Sequence, residues 1–269
     1  MKIVTKAPIA SFFILAYLIS WFFWLPLIFV GEDPGIFFML LWVLGGFGPF
    51  VAAIIVSKLA GVFKDFTRLL FMWRVSFKWY LVALGLPVLT AVVAYGVFLM
   101  AGGTPPAALE TPPLYFYPLL LLFVMILGGG LEEPGWRGFA LPMLLKRHNP
   151  FFASILIGIG WAFWHLPLFF APLSSQFNLP FGWYFLNTLA LSVMFTWLFL
   201  KSNRSTVTAI VLHGGINAVF TWYPGLSNIS TSLGTWHYYA PITVASWLIA
   251  GLLLIVARRQ FFASGDTPA

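Results

Sequence analysis

Two glutamates, an arginine, two histidines and an asparagine are the side chains in this sequence best suited to hydrolytic chemistry. Glu132, Glu133 and Arg137 lie within six positions, in Glu132-Glu133-Pro134-Gly135-Trp136-Arg137. His165 closes the run Trp161-Ala162-Phe163-Trp164-His165, and His213 opens His213-Gly214-Gly215-Ile216-Asn217. Spacings of four place Glu133 with Arg137, and His213 with Asn217, on one face of a helix. A carboxylate beside water serves as a general base, while imidazole and amide N–H groups stabilise a developing oxyanion. Two ionised glutamates against one arginine leave net negative charge in a medium of low dielectric. Either one carboxyl keeps its proton, or a histidinium or metal ion supplies the missing charge.

The segments that carry these residues are the least hospitable places for charge. The chain has 269 residues, 61% of them hydrophobic and only 8% charged; a soluble domain is nearer about 25% charged. One aqueous core cannot hide that much apolar surface, so the bilayer must act as solvent for the outside. Roughly 20 apolar residues cross about 30 Å of hydrocarbon. Eight stretches qualify: about 8–30, 36–57, 79–101, 115–146, 150–172, 180–200, 205–224 and 240–257. Only helices and closed barrels span a membrane, and these lengths suit helices. The expected fold is therefore all-α, a polytopic bundle of about eight transmembrane helices. The first stretch is too long for a signal-peptide core and reads as a retained span.

Thirteen of the fourteen Lys and Arg residues fall on alternate connections: Lys2, Lys6, Lys58, Lys64, Arg68, Arg74, Lys78, Lys146, Arg147, Lys201, Arg204, Arg258 and Arg259. The intervening loops hold Glu32, Asp33 and Glu110. By the positive-inside rule both termini are expected in the cytoplasm. The net charge of +7 is thus a topology signal, and a nucleic-acid partner is not expected. No loop is long enough for a soluble domain, so residues 1–269 read as one transmembrane domain. Phe63, Phe66, Leu70 and Trp73 recur at helical spacing in the largest basic connection and suggest an interfacial helix. The absence of cysteine excludes disulfide and thiolate chemistry.

Arg137, the fourteenth basic residue, lies inside the fourth span with both glutamates. Each such charge costs about 2.5–3.5 kcal/mol at mid-bilayer on insertion scales, so the group is expected to face the bundle interior and mark a functional site. Gly128-Gly129-Gly130 and Pro134 predict a broken helix there, tolerated only where protein buries it or water reaches it. Duller readings are a buried ion cluster that fixes packing, or interhelical polar glue for His213 and Asn217. Charges beside a broken helix also describe transporters and proton relays.

The three groups together resemble the CAAX-protease and bacteriocin-processing (CPBP, or Abi) family of intramembrane endopeptidases. Glu132 to Arg137 match its EExxxR motif, His165 takes the histidine of its FxxxH motif, and His213 to Asn217 match HxxxN. The motif-bearing resemblance covers about 115–225, and Trp161 stands where the second motif has phenylalanine. The resemblance implies hydrolysis of a peptide bond in a membrane-anchored peptide or protein. Glu132 would be the base, His165 would orient its water, and His213 and Asn217 would hold the oxyanion. Glu133 and Arg137 would support the helix break. Glu132, His165 and His213 also form a conceivable zinc ligand set with a fourth position for water, although HExxH is absent. Glutamate-only and zinc-dependent chemistry both remain open on the sequence. A non-catalytic scaffold of the bacteriocin-immunity kind is the other reading of the same motifs. The expected location is the cell membrane, crossed many times.

Overall fold

A chain this apolar can shield its peptide groups from lipid only by satisfying them within each segment, which makes the helix the unit of construction. The computed structural model describes residues 2–31, 35–104, 111–223 and 236–262, and all its regular elements are helical. Glu32, Asp33 and Glu110, the acidic residues of the expected outer loops, lie outside the described residues.

Among the described residues, seven helices are long and apolar enough to cross a membrane. They are α1 (Pro8–Phe29), α2 (Gly35–Leu59), α4 (Lys78–Met100), α5 (Leu114–Leu144), α6 (Pro150–Phe170), α7 (Phe181–Lys201) and the stretch Tyr239–Val256 within α9 (Trp236–Val256). The expected span over 205–224 is shorter than anticipated. Helix α8 (Thr206–Phe220) has 15 residues, about 22 Å at 1.5 Å per residue. It tolerates this length because it is central: α4, α5 and α7 pack around it and most of its side chains are buried. Gly214 lies against Leu121 and Met125 of α5, and Gly215 against Pro87 of α4. Its start is fixed by Ser205, whose hydroxyl accepts from the Thr208 amide at 3.3 Å. Asn149 caps α6 in the same way through Phe152, at 2.8 Å.

The outside of the bundle is a belt of bare apolar side chains, among them Leu18, Phe22, Val92, Leu119, Leu252 and Ile255. Acyl chains are the only solvent that suits such a surface. At one end lies α3 (Phe63–Leu70), with Phe66 and Leu69 buried and an exposed Asp65–Arg68 pair on its outer side. The expected apolar face is thus narrower than anticipated. Trp73 falls beyond the helix end and is exposed, whereas Phe66 reaches under the bundle toward Gly138. A further short helix, α10 (Arg258–Phe262), follows α9.

The break expected in the fourth span is present and has several parts. Regular α-helix runs from Tyr117 to Leu127 and stops at Gly128, whose φ of −102° and ψ of −148° are far from helical. A 3-10 turn over Gly129–Glu132, a single α turn over Glu133–Gly135 and a π-helical turn over Trp136–Ala140 follow, before α-helix resumes at Leu141–Leu144. Pro134 withholds one N–H from this stretch, and the wide turn comes directly after it. Gly135 is required by contact: a Cβ there would meet the Pro49 side chain at 2.5 Å and its carbonyl oxygen at 2.6 Å.

Candidate active site

The broken segment of α5 turns both glutamates inward, but to different sides. Glu133 and Arg137 are fully buried and pair at 3.0 Å between Oε1 and Nη1. The same Oε1 accepts from His213 Nδ1 at 2.8 Å. Arg137 uses no other N–H group on a protein acceptor among the described residues. Its flat guanidinium instead lies against two rings that meet edge-on, 4.6 Å from the centre of Trp161 and 4.1 Å from that of Phe195. Aromatic faces supply the negative charge that the missing acceptors do not.

Glu132 takes the other side. Its Oε2 accepts from the indole Nε1 of Trp161 at 2.6 Å, and its Oε1 lies 3.9 Å from His165 Nε2. That separation is too long for a direct hydrogen bond. His165 Nδ1 lies 3.0 Å from the Trp161 carbonyl oxygen. A carbonyl only accepts, so Nδ1 carries the hydrogen and a neutral ring has a bare Nε2 facing Glu132. Helix α1 holds this end of α6 in place. Tyr17 donates its hydroxyl to the Gly160 carbonyl at 2.5 Å, and Trp21 donates its indole N–H to the Trp164 carbonyl at 2.9 Å.

Glu132, His165, His213 and Asn217 border a single cavity of about 510 Å³, a volume typical of ligand sites. Three separate helices, α5, α6 and α8, therefore bring the expected residues to one place. Asn217 is the exposed member, one turn along α8 from the buried His213. Glu133 and Arg137 do not reach the cavity and stand behind it. Its lining combines apolar side chains, among them Leu120, Val124, Ile216 and Phe220, with the polar Gln176, Tyr184 and Asn187.

The zinc option does not fit this arrangement. Among the described residues no three His, Cys, Asp or Glu side chains are gathered closely enough to hold a metal ion.

Three neighbours of the site escaped the sequence reading. Gly129 is one: a Cβ there would lie 2.0 Å from His213 Nε2, so the backbone passes against the imidazole edge. The glycine run signalled unwinding but not this contact. Trp161 was visible as an aromatic at the head of a motif, but not as a hydrogen-bond donor. Tyr184, whose ring centre lies 5.5 Å from that of His165, had no signal at all.

Comparison with known proteins agrees with the motifs. Residues 114–219 match the family described as type II CAAX prenyl endopeptidase Rce1-like. The chain is similar to CAAX prenyl protease 2 of Methanococcus maripaludis, at 33% identity over 226 residues, 79% of this chain and 82% of that protein. Such likeness along most of both chains disfavours a transporter or an inert scaffold. With its apolar helices and its interior carboxylates, the chain belongs to the Rce1-like family of type II CAAX prenyl endopeptidases and is a multi-pass intramembrane protease.

Proposed function

We propose that the chain hydrolyses a peptide bond near the C-terminus of a prenylated, membrane-anchored protein, using Glu132 as general base. The observation that carries this reading is the pairing of Glu132 Oε1 with a bare His165 Nε2, 3.9 Å apart on the cavity wall. A substrate water that gives one O–H to each acceptor turns its lone pairs toward the cavity. Attack on the scissile carbonyl forms the C–O bond as Glu132 takes a proton. The same carboxyl then returns that proton to the leaving nitrogen as the C–N bond breaks. His213 and Asn217 stabilise the oxyanion. With Nδ1–H given to Glu133, His213 offers Nε2–H to the substrate as an imidazolium. In that state Glu132, Glu133, Arg137 and His213 sum to zero charge, which suits a buried group. Glu133 and Arg137 act from behind by holding His213.

The apolar part of the lining supports an acyl-like or prenyl chain beside the reacting bond, and its polar side chains support a peptide main chain. The bilayer is the setting and delivers the anchored substrate. The whole chain works as one domain, with residues of about 115–225 as its catalytic core. A farnesylated CAAX peptide incubated with the purified protein in detergent tests this. The expected products are the prenylated fragment and a released C-terminal peptide, together heavier than the substrate by one water. Intact peptide after long incubation with active wild-type preparations contradicts the proposal. Cleavage should also persist in excess chelator. A rate that falls on chelation and returns with zinc would move Glu132 from base to ligand.

A further inference from the structure

Trp161 is 4% exposed and touches four of the five ionisable members of the site, all but Glu133. Its indole Nε1 donates to Glu132 Oε2 at 2.6 Å, and its carbonyl accepts from His165 Nδ1 at 3.0 Å. Its ring faces Arg137 at 4.6 Å and meets the His213 ring edge-on at 5.4 Å between centres. The second motif of the resembled family has phenylalanine at this position. A phenylalanine preserves the main-chain acceptor and presents a ring to Arg137 and His213. Only the N–H to Glu132 depends on tryptophan.

We propose that Trp161 is a positioning residue in this protein, whose indole N–H selects the glutamate oxygen that meets the water. The terminal torsion of a glutamate is broad and roughly two-fold, so an untethered carboxylate presents either oxygen over a range of angles. A donor to Oε2 fixes the plane and leaves Oε1 turned to His165. It also gives a buried carboxylate oxygen a hydrogen-bond donor. The charge-assisted bond favours the ionised carboxylate, the form a base requires. This inference rests on Glu132 being that base.

The test is steady-state cleavage of the prenylated peptide by the full-length purified protein. Three forms are compared with wild type: Trp161→Phe, benzothienylalanine at position 161, and Glu132→Gln. Benzothienylalanine keeps the bicyclic outline of tryptophan and replaces only N–H by sulfur, so it stays informative even if Trp161→Phe folds poorly. The expected result for both position-161 variants is a kcat lower by about tenfold or more with little change in KM. Glu132→Gln is expected to be inactive. A benzothienylalanine protein with wild-type kcat overturns the proposal, whatever Trp161→Phe does, because shape rather than the donor then matters. If that happens while Glu132→Gln is dead, the base assignment survives and only the role of Trp161 falls. Cleavage by Glu132→Gln at the wild-type rate overturns both.

Discussion

Glu133 Oε1 serves two donors at once, Arg137 Nη1 at 3.0 Å and His213 Nδ1 at 2.8 Å. Removing one partner of a fully buried ion pair leaves the other without counter-charge and costs about 3–5 kcal/mol. Glu133→Gln should therefore lower the melting temperature of the detergent-solubilised protein as well as its activity, measured by thermal unfolding and peptide cleavage. An unchanged melting temperature would show that Arg137 does not depend on Glu133. Gly129→Ala separates geometry from charge. The new Cβ falls on His213 Nε2, and a displacement near 1 Å at a reacting group can cost about a hundredfold in rate. Cleavage assays should show a loss of that order in kcat. The motif spacings revealed that Glu133 and Arg137 share a helix face, because that depends only on local geometry. The Glu133–His213 contact spans 80 positions and was not legible. Neither was the split between the two glutamates, one on the cavity and one behind it, which depends on how the broken helix turns.

The decisive element is α5, where a 3-10 turn, one α turn and a π turn replace about three turns of regular helix. Glycines and Pro134 announced the break, since their backbone preferences are local. The sequence did not reveal what stabilises it: α2 approaches so closely at Pro49 that Gly135 has no room for a side chain. Gly135→Ala must push two backbones apart, and overpacking of this kind costs about 1–3 kcal/mol. The expected outcome is a lower melting temperature, and a wild-type value would mean that α2 gives way freely. Helix α8 shows the opposite limit of pattern reading. Its apolar run suggested a full span, yet the helix is only 15 residues long because bundle neighbours, not lipid, surround it. Hydropathy does not distinguish these two kinds of burial.

For the whole molecule, composition was the strongest guide. An apolar belt and interior charges are what a bilayer selects, and the eight expected stretches correspond to seven long helices and α8. Sidedness rests on the basic residues of alternate connections. We propose that both termini lie in the cytoplasm, which requires α8 to complete an eighth crossing. Fluorescent and periplasmic reporter fusions at each end should report cytoplasmic placement for both. Opposite sides would mean that α8 does not cross. Hydrolysis turns on one carboxylate, Glu132, at a cavity within the bundle. Its most direct test measures binding and cleavage of the same prenylated peptide by Glu132→Gln and wild type. The predicted result is binding within about threefold of wild type and a kcat lowered by at least about a thousandfold, the signature of a group acting in the transition state alone. Cleavage by Glu132→Gln at the wild-type rate would contradict it.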